Sequence, residues 1–83
     1  MESADRIRVH SILDPIYGDQ AINKFIIFFE EAETEQETEW KRLSCFQSMT
    51  RYIEKNNLTG SDKTFLEDLV SSFELGDLEM VVD

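Results

Sequence analysis

Cysteine, histidine, proline and glycine are scarce in this chain of 83 residues: one, one, one and three. A single cysteine excludes an internal disulfide framework and a zinc finger within one chain. Basic residues are few as well, 8 against 18 acidic, for a net charge of −10. A field of that sign repels nucleic acid and anionic membranes. Long apolar runs are missing: the longest is Phe25–Phe29, whereas a membrane span needs about 20 residues. Apolar residues themselves are not missing. They make up 41% of the chain, with 11% aromatic, more than an acidic disordered tail carries, so a folded domain is expected.

The parts of a catalytic site are lacking too. His10 and Cys45 are each alone in the sequence and are read as a boundary residue and a small hydrophobe. There is no glycine-rich phosphate loop, no nucleophile elbow and no His-Glu-x-x-His. No calcium loop and no Glu-x-x-His pair for a di-iron site occur. The expectation is a protein that is not an enzyme, with no cofactor and no metal. Met1-Glu2-Ser3-Ala4-Asp5 has no basic segment leading into an apolar one, so no signal peptide is read and a cytoplasmic location is expected. The lone Cys45 suits a reducing compartment.

The length suits one domain, residues 1–83, that buries about 64% of its unfolded surface. Pro15, Gly18, Gly60 and Gly76 divide it. In the first piece Ser3 can cap a helix with Val9, Ile12, Leu13 and Ile16 on one face, ended by Asp14-Pro15. Arg6 to His10 also alternates like a strand, but no other convincing strand is there to pair with it. After an Asp19 cap, Ala21, Ile22, Phe25, Ile26 and Phe29 follow helical spacing, and Ile27 and Phe28 widen the stripe. Trp40, Leu43, Phe46, Met49 and Ile53 form a second stripe with Cys45 and Tyr52 at its edge, and Asn56-Asn57 suits its end. Ser61 and Asp62 open a last helix with Phe65, Leu66, Leu69, Val70 and Phe73 on its face and Gly76 in the position after its end. Leu78–Val82 reads as a short strand or a docked tail. The fold class is therefore all-α, a bundle of three to four helices.

The middle piece has two readings. Thr34 and Glu37 match a capping box, which starts a new helix near residue 35 and makes a helical hairpin. Alternatively no glycine or proline interrupts 19–59, and one helix over 19–56 would be about 57 Å long. A compact chain of this size is about 30 Å across, so that helix would need a partner chain.

Charge is segregated. Glu30, Glu31, Glu33, Glu35, Glu37 and Glu39 fall within ten residues, and a second acidic stretch includes Glu67, Asp68, Glu74 and Asp77. In a continuous helix Glu31/Glu35, Glu33/Glu37 and Glu35/Glu39 are like-charge pairs, each costing about 0.2–0.5 kcal/mol. Nothing in the sequence shows a folding gain that offsets them. These ten acids are therefore the expected partner-binding residues, and the partner a basic protein whose surface also suits nucleic acid. The competing structural reading is a solvated, solubilising turn. A second expected interface is apolar: Ile22, Phe25, Ile26, Phe28 and Phe29 cover more than one helix face, and a second copy of the chain would cover the surplus. In size, charge and helix count the chain resembles small acidic inhibitors such as bacteriocin immunity, anti-defence and anti-sigma proteins. That resemblance is one of composition and implies no site residue. The functional expectation is an inhibitor or regulator that occupies a basic surface. The alternative is a dimeric helical adaptor.

Overall fold

The computed structural model of the chain describes residues 1–35 and 38–73. Among them lie four α-helices and no strand: α1 (Ser3–Tyr17), α2 (Asp19–Thr34), α3 (Glu39–Lys55) and α4 (Gly60–Val70), the last followed by a 3-10 turn over Ser71–Phe73. The all-α class expected from the spacing is thus what forms, with no strand at Arg6–His10. The chain divides into two compact units, Met1–Lys41 and Arg42–Asp83. The Gly76 cap and the tail at Leu78–Val82 lie outside the described residues, as does Glu37.

In the first unit α1 and α2 pack against each other. Val9 and Leu13, four apart and so on one helix face, are completely buried, while Ile7 is 70% exposed. A strand would have placed Ile7 and Val9 on the same side, so the burial pattern alone decides for helix. Two boundaries differ from expectation. Glu2, not Ser3, occupies the cap position. Asp14-Pro15 does not end α1, which runs on to Tyr17 with Pro15 inside it. The Asp14 carbonyl accepts the Gly18 N–H at 2.8 Å and the Asp14 carboxylate lies 2.8 Å from His10 Nδ1 one turn back. These contacts hold Asp14 helical against the bias that proline imposes on the residue before it.

One residue turns the chain from α1 into α2. Gly18 has φ +89° and is both the last cap of α1 and the first of α2, a conformation that a side chain would strain. Asp19 follows as the first helical residue, not as the cap, where its charge still faces the positive end of the helix dipole. Along α2, Ile22, Phe25, Ile26, Phe29 and Ala32 are buried, and the rings of Phe25 and Phe29 meet at 6.2 Å. Of the residues expected at an apolar interface, Ile22, Phe25, Ile26 and Phe29 are buried within the single chain. Phe28, the fifth, is half-buried. The surplus left at the surface is Ile27, 49% exposed, with Ile16 and Ile7 on α1.

The middle piece is two helices. Thr34 is not the start of a new helix: it is the last residue of α2, and its hydroxyl donates back to the Glu30 carbonyl at 2.9 Å. Thr38 stands immediately before α3, only 3% exposed. Its hydroxyl donates to the Ala32 carbonyl at 3.0 Å. A threonine hydroxyl thus donates to a carbonyl in the last turn of α2. With Glu35 extended at φ −83°, ψ 157°, the chain leaves the helical path here.

In the second unit the buried residues of α3 are Cys45, Met49 and Ile53. The stripe is rotated from the expected one: Cys45 is central, Leu43 and Phe46 are half-buried, and Trp40 is 62% exposed. From α4 and the turn after it, Leu66, Val70 and Phe73 are buried. The helix starts at Gly60 after a Thr59 cap, ahead of the expected Ser61. The end of α3 is a Schellman motif without glycine. Asn57 has φ +53°, its N–H donates to Glu54, and the Leu58 N–H donates to Ile53 at 3.0 Å, the paired pattern that closes a helix. Asn57→Gly is expected to keep or slightly raise the melting temperature. Asn57→Val should lower it by several degrees, because a β-branched residue resists the left-handed region. Equal melting of the two variants would contradict the motif.

Candidate functional site

The end of α2 is where the charge collects. Glu30, Glu31 and Glu33 lie in its final turns, and no basic residue stands in its last turn. Acids at a C-terminus oppose the helix dipole. The structure answers with three cations brought from other segments. The Met1 amino group donates to Glu33 at 2.8 Å and lies 3.6 Å from Glu30. Arg6 Nη2 on α1 donates to Glu30 at 2.6 Å. Lys41 Nζ, in the first turn of α3, donates to Glu35 at 2.7 Å and to Glu31 at 3.4 Å. Four of the five described glutamates of the block therefore make ion pairs within the chain. The sequence alone suggested no folding role for them, because the cations come from both sides of the block in sequence and only folding gathers them.

The pairing shifts the groups in predictable directions. The hydrogen bond from Arg6 holds the Glu30 carboxyl below its ordinary value of 4.5. Hydrogen bonding to Glu35 raises the Lys41 ammonium above 10.5, and Glu33 likewise raises the Met1 amino group above 8.0. A carboxylate with a depressed folded value stabilises fully above its unfolded value and loses that contribution as pH falls through the folded one. Glu30→Gln is therefore expected to lower the melting temperature at neutral pH and to match the parent in strong acid. Lys41 runs the other way: its contribution is complete below its ordinary value and is lost as pH rises through the raised one. If the Glu30→Gln difference stays constant from pH 7 to pH 2, the Arg6 pair is not acting on the fold.

An aromatic cluster shares this corner. The Phe28 and Trp40 rings meet edge to face, 5.8 Å apart at 70°. Lys41 Nζ lies 5.9 Å from the Phe28 centroid and 5.7 Å from that of Trp40, within range of cation–π attraction. So one ammonium is held by two carboxylates and two rings, while the indole itself remains mostly in solvent. Glu33, Glu35 and Glu39 are exposed; of these, Glu35 pairs with Lys41 and Glu33 with the Met1 amino group. Sequence spacing assigned Trp40 to a buried stripe and missed both its exposure and the role of Lys41. The available signal was that Trp40 directly follows the acidic run.

The other expected site residues lie elsewhere. Glu67 and Asp68 are exposed on α4 in the second unit, on the rim of a groove of about 630 Å³ floored by Phe46, Ile53, Leu58 and Val70. Glu74 and Asp77 are outside the described residues. His10 is engaged by Asp14, and Cys45 is 1% exposed. Among the described residues no three His, Cys, Asp or Glu side chains are placed to hold a metal ion, and no helix is long and apolar enough to cross a membrane.

No family matches. Comparisons with protein-family models, curated proteins and solved structures all return nothing similar to this chain. What it does must be argued from the corner itself.

Proposed function

We propose that the chain is a non-catalytic binding protein that inhibits or regulates a basic protein by covering its cationic surface, including a surface that otherwise holds nucleic acid. The observation that carries this reading is the corner formed by the end of α2 and the start of α3, where the five described glutamates Glu30, Glu31, Glu33, Glu35 and Glu39 meet three internal cations, the Met1 amino group, Arg6 and Lys41. Five carboxylates against three cations leave a negative excess there, and the exposed Trp40 offers an apolar contact of the kind that anchors interfaces. Clustered surface charge acts mainly by steering encounter, and salt screens it. The test is affinity capture with the immobilised chain at 50 mM and 500 mM salt. A basic protein captured at low salt and released at high salt agrees with the proposal. A partner that is not basic, held equally at both, contradicts it.

The second reading, a dimeric adaptor, draws its support from the exposed Ile7, Ile16 and Ile27. It predicts a melting temperature that rises with protein concentration. A constant melting temperature and a 9.7 kDa species in sedimentation would reject it.

A further inference from the structure

We propose that Trp40 is the anchor of the docking corner and that its open indole face receives an arginine side chain of the basic partner. The inference rests on the acidic-docking reading and names what that surface binds. Three observations on the first unit lead to it. The indole is 62% exposed although it is the largest apolar side chain in the chain. Phe28 fixes it edge to face at 5.8 Å, so it is presented in a set orientation. Lys41, lying 5.7 Å from the same ring and 2.7 Å from Glu35, shows that these rings and carboxylates already hold a cation together.

The identity of the guest follows from what Lys41 leaves over. Its compact ammonium takes Glu31 and Glu35. The Met1 amino group takes Glu33, and the remaining offer is an exposed ring with the exposed Glu39 next to it in sequence. A planar guanidinium stacks on such a ring and still spends its N–H groups on carboxylates in the ring plane. An ammonium has no plane to stack and keeps its hydration more tightly. Charge complementarity thus fixes the sign of the occupant, and the shape of the open surface selects arginine over lysine. Trp40 sets specificity, while the glutamates set the rate of encounter.

The chain has one tryptophan, so its fluorescence reports on this site alone. The probes are a deca-arginine and a deca-lysine peptide, titrated at low salt into the full chain, with affinities also taken by calorimetry. Deca-arginine is expected to change Trp40 emission and to bind several-fold more tightly than deca-lysine. Trp40→Ala should weaken deca-arginine about tenfold and remove the preference over lysine, whereas Trp40→Phe should keep part of it. Unchanged circular dichroism confirms that either variant is folded. If parent and Trp40→Ala bind both peptides equally, the anchor is wrong and the acidic docking surface stands without it. If neither peptide binds the parent at low salt, the docking reading fails, and the anchor with it.

Discussion

Phe29→Ala is expected to cost about 3–5 kcal/mol, the usual range for removing a buried ring. Phe29 is 2% exposed, on the face of α2 where Ile22, Phe25 and Ile26 are also buried. A chain of this length has roughly 4–12 kcal/mol of stability in all, so the variant should be largely unfolded or melt far below the parent. The second unit has its own counterparts. Met49 and Leu66 are both fully buried, and alanine at either should cost about 2–5 kcal/mol. Phe46 and Leu69, which spacing alone would place among the core residues, are half-buried and should cost only about 1–2 kcal/mol. Urea unfolding of the four unit-two variants checks the ranking. If Phe29→Ala melts within a degree or two of the parent, α2 is not the core helix described.

Replacing Glu31, Glu33, Glu35 and Glu37 together by Gln should slow association with a basic partner about tenfold or more at low salt and leave dissociation less affected. Stability should stay close to that of the parent. From the sequence a slight gain is expected through relief of i, i+4 repulsion. The structure removes that reason for Glu31/Glu35, because Glu35 lies beyond the end of α2 in extended backbone. The substitutions also give up the pairs to Lys41 and the Met1 amino group, and exposed pairs of this kind are worth about 0–1 kcal/mol each. Stopped-flow association at several salt concentrations checks the prediction. A variant that associates as fast as the parent at low salt would reduce the block to a solvated turn.

The helices were legible because their signals are local. Ile22, Phe25, Ile26 and Phe29 repeat at helical spacing, Asn57 carries its own turn preference, and Leu66 to Phe73 show their face. What could not be read depended on residues far apart in sequence. Arg6 reaches Glu30 across 24 positions, and Lys41 reaches Glu31 across ten, so a run that looked only repulsive is held by pairs. The break near residue 35 was visible in Thr34-x-x-Glu37, but the threonine that organises it is Thr38, through a bond back to Ala32. Trp40 was misplaced because hydrophobic periodicity cannot tell the first turn of a helix, which leaves the core, from the turns that enter it.

The central claim is that docking belongs to one corner and not to the overall charge. Two double variants with the same net charge decide it. Glu33→Gln with Glu39→Gln strips exposed acids from the corner. Asp19→Asn with Glu54→Gln strips exposed acids from the far end of α2 and from α3, and Asp19 lies about 21 Å along the helix from Glu33. The measurement is the association rate of deca-arginine with each double variant at low salt. The account predicts that the corner variant slows several-fold while the matched variant stays near the parent. Equal slowing of the two would contradict it, since binding would then follow net charge alone.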